Sequence, residues 1–258
     1  MKRRAFLKTS LAAAAVTTAA NASAAAKPSP EYYELRTWSL KAAKQPLLDI
    51  YLSRALLPAL KRLGLGPVGF FAEPMPNDEL KVHALITYSS PEQFTTLPAR
   101  LGADAEHQKA GAEYLNAKAS DPIYSRIESS FMAAIEGLPK LVKPDASKPR
   151  LFNLRIYESH NERAGKKKIE MFNRGELAIF KRTGLTPVMF AETLSGTLMP
   201  NLTYLLVFPN DDARKKAWDT FRADPEWLKL KGVPEYADKE IVLKVTNRLL
   251  TPTAYSEL

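Results

Sequence analysis

The 258-residue chain contains no cysteine. That single absence excludes a disulfide framework, a thiolate metal centre, a cysteine nucleophile and Cys-x-x-Cys redox chemistry. Histidine is scarce as well: His83, His107 and His160 are the three copies, and no two stand at metal-ligand spacing, which argues against a structural zinc site. No Gly-x-Ser-x-Gly elbow, phosphate-binding loop or EF-hand pattern occurs. Nor is there an apolar run of the roughly 20 residues that a membrane-spanning helix needs. What remains is ordinary globular composition, with 45% hydrophobic and 25% charged residues. Disorder and collagen are thereby excluded.

The first residues read as an address. "MKRRAFLK" is followed by a weakly apolar run of Ala, Val and Thr and then by small residues through Ala26. A positive start, a short apolar segment and an Ala-x-Ala cleavage site make a secretory signal. Lys2-Arg3-Arg4-Ala5-Phe6-Leu7-Lys8 resembles the twin-arginine export motif, lacking the usual Ser or Thr before the arginine pair. Residues 1–26 are therefore read as a twin-arginine signal, cleaved after Ala24 or Ala26. The partners expected are the twin-arginine export machinery and a small-molecule ligand, and the location is the periplasm or the exterior. Cleavage removes four cationic residues and no acids, so the net charge falls from +9 to +5. A mild excess spread along an exported chain favours neither nucleic acid nor stable membrane insertion. Homo-oligomerisation stays open.

The mature chain is written twice. "RALLPALKRLGLGPVGF", from Arg54 to Phe70, and "RGELAIFKRTGLTPVMF", from Arg174 to Phe190, are identical at nine of seventeen positions without a gap. A period near 120 residues is too long for a solenoid and fits two tandem domains. The first is placed at residues 27–135, a proline-bearing linker at 136–149 and the second at 150–258. Each copy opens with an alternating strand (32–40 and 150–158). A helical stretch follows (44–63 and 163–183), with a kink expected at Pro58 and a glycine cap at Gly64 or Gly184. Two strands come next, joined by a turn at Pro76-Asn77 or Pro200-Asn201. A second helix then begins beside Ser90 or Asn210, and a last strand closes the unit near 122–132 or 240–249. The order βαββαβ is the ferredoxin-like split motif. Its helices cover one sheet face, so two units can bury the other by closing their sheets into an α+β barrel with the helices outside.

Gly64-Leu65-Gly66-Pro67-Val68-Gly69 matches the dinucleotide fingerprint G-x-G-x-x-G in form only. The fingerprint requires a strand before it and a helix after it; here a helix precedes and a strand follows. The second copy replaces Gly66 with Thr186 and Gly69 with Met189. The repeated element is a corner of the fold.

Tyr33-Glu34-Leu35-Arg36-Thr37-Trp38 opening a strand, a helix ending at Gly64, and a hairpin followed by a helix after Tyr88-Ser89-Ser90, all occurring twice, resemble the NIPSNAP family of the dimeric α+β barrel superfamily. The resemblance runs over residues 31–132 and again over 150–250. The second copy departs from it where Asn153 replaces Glu34 and where Phe208-Pro209-Asn210 replaces Tyr88-Ser89-Ser90. Any site built on those positions is lopsided. The resemblance implies links of other members to membranes, vesicle traffic or mitochondria. Through the superfamily it also implies cofactor-free monooxygenases, isomerases and haem enzymes, which is fold analogy.

Strand alternation places Tyr33, Leu35 and Thr37, with Phe152, Leu154 and Ile156, on the helix-covered face. Glu34, Arg36 and Trp38, with Asn153, Arg155 and Tyr157, are then expected to face the barrel interior. Buried guanidinium groups need partners: a carboxylate such as Glu34, or an anionic ligand held bidentately. The expectation is a pocket for a small anionic or aromatic molecule, with Arg36 and Arg155 as anion contacts and Trp38 and Tyr157 as stacking walls. A cofactor-independent monooxygenase or isomerase is the alternative, with His83, Glu34 or Glu192 handling the proton. A non-catalytic scaffold is a third reading and requires a solidly packed barrel. No cofactor or metal is predicted; haem, through His107, is the one weighed, and His160 reads as a loop residue.

Overall fold

The computed structural model describes residues 29–258, and the export signal expected at residues 1–26 lies outside the described residues. Its first half runs β1 (Tyr32–Lys41), α1 (Gln45–Tyr51), α2 (Leu57–Arg62), β2 (Val68–Met75), β3 (Glu79–Tyr88), α3 (Pro91–Ala103), α4 (Ala105–Ala110), α5 (Ala112–Leu115) and β4 (Arg126–Ala134). The second half repeats the plan with β5 (Leu151–Glu158), α6 (Glu162–Met171), α7 (Leu177–Arg182), β6 (Thr186–Ser195), β7 (Asn201–Phe208), α8 (Asp211–Ala223), α9 (Pro225–Lys231), α10 (Asp238–Ile241) and β8 (Lys244–Pro252).

Each half folds its strands in the antiparallel order expected of a split βαββαβ unit, β4-β1-β3-β2 and β8-β5-β7-β6. The two sheets join along the seams β2·β8 and β4·β6 into one closed eight-stranded barrel. Closure leaves no open sheet edge. The helices lie outside, over two cores. One packs Leu48, Leu52, Leu56 and Leu60 on the first sheet, and the other packs Phe172, Phe180, Trp218 and Phe221 on the second. A third core fills part of the barrel and draws on both halves, with Tyr33, Phe71, Leu85 and Met132 meeting Phe152, Met189, Leu205 and Leu250.

Local chemistry explains most boundaries. Asn161 and Asn210 accept hydrogen bonds from the third backbone N–H beyond them and so start α6 and α8. Ser90 makes no such side-chain bond; α3 starts instead on Pro91, whose fixed φ suits a first helical turn. Gly64 and Gly184 end the first helical layer of each half at φ +72° and +86°, as glycine caps should. The kink expected at Pro58 has another origin. A wide π-type turn at Leu52–Leu56 joins α1 to α2, and the same turn at Phe172–Glu176 joins α6 to α7, where Ala178 stands in place of the proline. The first hairpin turns on Asn77 and Asp78, both at positive φ, whereas Pro200 only leads into β7 after a loop that turns at Gly196 and Leu198.

Candidate functional site

The inner faces of β1, β3 and β8 run from apolar to polar in the same axial direction. Along β1 the face reads Tyr33, Leu35, Thr37; along β3 Leu85, His83, Lys81; along β8 Leu250, Arg248, Thr246, Lys244. The apolar end is packed by the shared core. The polar end opens as a cavity of about 280 Å³. Its apolar floor is Leu35, Leu154 and Ile156; its cations are Lys81, Lys244 and Arg248; Glu128 is the acid on its lining.

One wall is a hydrogen-bonded chain. Thr37 Oγ1 lies 2.9 Å from His83 Nδ1, and His83 Nε2 lies 3.1 Å from Glu73 Oε2. Arg248 Nη1 donates to both Glu73 oxygens, at 3.1 and 2.9 Å. Burial works to raise the Glu73 carboxyl, but the hydrogen bond from His83 and the Arg248 guanidinium together hold it below its ordinary value. An ionised carboxylate can only accept, so Nε2 of His83 carries the proton and Nδ1 accepts from the Thr37 hydroxyl. Burial pushes the His83 imidazole below its ordinary value against the opposing pull of Glu73, which keeps the ring neutral at neutral pH. The lining also holds a neutral cluster from β6 and β7. There Thr193 and Thr203 both donate to Asn201 Oδ1, at 2.7 and 2.9 Å. The titratable chain thus draws Thr37, His83 and Glu73 from the first half and Arg248 from the second, while the neutral Thr193-Asn201-Thr203 cluster comes from the second half alone.

The faces of β1 and β5 are inverted relative to the expectation from alternation. Arg36, Trp38, Arg155 and Tyr157 point toward the helices, not into the barrel. Both faces of these strands are covered, one by helices and one by the barrel interior, so period-two hydrophobicity marks two faces without saying which is inner. Glu34, 1% exposed, holds Arg36 through two bonds of 2.7 and 3.0 Å and also accepts from Tyr88 and Ser129, each at 2.8 Å. Trp38 is buried among the leucines of the first outer core and donates to the Tyr114 hydroxyl at 2.8 Å. Tyr157 accepts from Tyr204 at 2.8 Å. Arg155 lines a separate groove beside α8 and α9. Of the proton-handling candidates, Glu34 is sealed in its cluster, and Glu192 pairs outside the barrel with Lys166 at 2.6 Å. Only His83 reaches the cavity wall. His107 is buried under the helices with both ring nitrogens engaged, by Leu101 O at 3.1 Å and the Tyr51 hydroxyl at 3.2 Å, which leaves no nitrogen for a haem iron. His160 is exposed beyond β5.

Glu73, Arg248 and Lys244 were not legible as site residues in the sequence. Glu73 alternates with Phe71 on β2, and Arg248 lies 175 residues away on the strand across the seam. Among the described residues no cluster of three or more metal-binding side chains occurs, and no helix is long and apolar enough to cross a membrane.

Residues 152–257 match the family model described as NIPSNAP. No curated protein matches the chain. Among solved structures, a candidate monooxygenase from Fusobacterium nucleatum is 8% identical with a TM-score of 0.56, over 87% of this chain and 93% of its own. One from Lactobacillus acidophilus is 10% identical with a TM-score of 0.56, over 86% and 94%. An uncharacterised NIPSNAP-like domain protein from Burkholderia xenovorans is 18% identical with a TM-score of 0.37, over 42% and 88%. At these identities the first two share the barrel fold with this chain.

Proposed function

We propose, for a chain whose residues 152–257 form a NIPSNAP domain and whose first half repeats the same unit, that it binds a small anionic molecule in the open end of its barrel. The observation that carries the reading is the half-filled interior. A scaffold barrel has no reason to stop packing midway, whereas this one stops at a cavity with an apolar floor and a cationic rim. Lys81 and Lys244 on the rim make no ion pair among the described residues and supply the charge that an entering carboxylate or phenolate lacks. Leu35, Leu154 and Ile156 take its apolar body, and the lone pairs left on Thr37 accept from a ligand hydroxyl.

A second reading, cofactor-independent oxygenation or isomerisation, is favoured by the chain from Thr37 through His83 to Glu73. A neutral imidazole backed by a carboxylate can take a proton from the Thr37 hydroxyl as that hydroxyl takes one from a bound acid. The two solved relatives with the barrel fold are named for monooxygenase chemistry. Export through the twin-arginine route belongs to the same proposal and rests on residues 1–26.

Calorimetric titration with a panel of small carboxylates and phenolates tests both readings. Lys81→Met should weaken a bound anion by about 1.5 to 3 kcal/mol, the range for a charged hydrogen bond, and His83→Gln should leave binding nearly intact. If the same His83→Gln change abolishes turnover of a bound phenol in an oxygen electrode, the enzyme reading stands. Anion affinity indifferent to Lys81 and Lys244 would remove the cavity as the binding site.

A further inference from the structure

The registers of β1 and β5 match, but the residues that surround their arginines do not, and that difference leaves a cation without a counter-charge. In β1, Glu34 supplies the acceptor for Arg36. The matching residue of β5 is Asn153, and Tyr88 and Ser129, which also serve Glu34, correspond to Phe208 and Asn247. Arg155 therefore keeps the guanidinium of the pair without the carboxylate. It uses Nη1 on Asn247 at 3.2 Å and Nη2 on Tyr157 at 3.3 Å, both long. Among the described residues no carboxylate comes within ion-pair distance of it. Glu176, a buried acid whose field reaches Arg155, is bonded by Lys168 at 3.0 Å.

The guanidinium stacks on Trp218, 4.5 Å from the ring centroid. Arg155 Nε and Trp218 Nε1 are both buried donors without an acceptor, and Trp218 is 8% exposed. Two orphaned donors side by side cost free energy that an arriving acceptor would recover. Both residues line a groove of about 590 Å³ with Arg214, Lys215, Arg222 and Lys231. Arg214 and Lys215 share Asp211, and Arg222 pairs with Asp219. Lys231 has no ion pair among the described residues. Asp219 and Asp238 are the acids of the lining, so cations outnumber them.

The geometry points to a second ligand site, distinct from the barrel cavity: the groove at Arg155 binds a small aromatic carboxylate. The ligand supplies from outside the chain the acceptor that Glu34 supplies within it to Arg36. Its ring meets the apolar lining of Trp218, Phe221 and Trp227. The orphaned donors are out of solvent contact, so the ligand reaches them through a side-chain rotation at the groove floor, and that rotation changes the surroundings of Trp218.

Benzoate and, separately, inorganic phosphate titrated into the full chain, followed by tryptophan emission and calorimetry, test the site. Benzoate should saturate, with phosphate weaker by about tenfold, because the fork of Arg155 and the aromatic lining favour a flat monoanion. Arg155→Met and Asn153→Glu should each weaken benzoate by about tenfold or more, the second by restoring the internal pair of the first half. Lys81→Met, which weakens an anion held in the cavity, should leave this affinity unchanged. Arg155→Gln replaces Arg155→Met if the latter loses the native circular-dichroism spectrum. Benzoate failing to saturate by about 10 mM, a binding free energy weaker than about −2.7 kcal/mol, overturns the proposal. So does phosphate binding as tightly as benzoate, or an affinity indifferent to both Arg155 and Asn153.

Discussion

At the scale of single residues, the same arginine has two fates in one chain. Arg36 is neutralised by Glu34, a carboxylate that takes four hydrogen bonds in a nearly dry setting. Removing one member of such a pair strands the other, so Glu34→Ala should cost about 3 kcal/mol in urea unfolding. Asn153→Ala, at the matching position with no charge to strand, should cost about 1 kcal/mol. His83 sets a pH dependence. Its folded value is depressed below the ordinary 6.5, so the unfolded chain binds the proton first as pH falls. Stability is then flat above pH 6.5 and declines from there toward the folded value. Lys81, Arg248 and Glu73 face the ring, and the charge of Glu73 persists through this window because its carboxyl is held low. Melting temperatures between pH 7.5 and 5.5 should fall in the wild type, and more shallowly in His83→Gln; parallel slopes would show that the ring does not titrate as described.

At the scale of elements, the corner repeated in both halves is conformational in purpose. Gly64 sits at φ +72°, and a Cβ built on it would meet nothing within 4 Å. Gly64→Ala should therefore cost about 1 kcal/mol, all of it from the left-handed backbone and none from a clash. Gly196 is the contrast: at φ +146° its added Cβ would run into the side chain and backbone of Ser130, so alanine there must also displace β4. Comparing the two by chemical denaturation separates backbone strain from steric exclusion. These corners were readable in the string, because Gly-Leu-x-Pro-Val ends a helix and opens a strand whatever surrounds it. The π-type turns were not: they recur at the same place with and without a proline, so no breaker residue marks them.

At the scale of the whole molecule, the halves share their innermost core and two strand seams. Neither sheet can bury its inner face alone. Unfolding followed through Trp38 in the first half should coincide with unfolding followed through Trp218 and Trp227 in the second, observed in Trp→Phe variants under urea. Separated midpoints would mean that the seams do not couple the units.

Repetition, periodicity and capping residues determined the βαββαβ unit, its duplication and the closure of two sheets into a barrel, since each of these follows from local propensity and from the need to cover a second apolar face. Which face of β1 and β5 looks inward was decided by tertiary structure alone. Both faces are covered, one by helices and the other by the barrel interior, and alternation carries no sign when neither side is the open surface of the molecule. The same holds for the chain from Thr37 to Arg248, whose members come from four strands of both halves and meet only because the barrel closes.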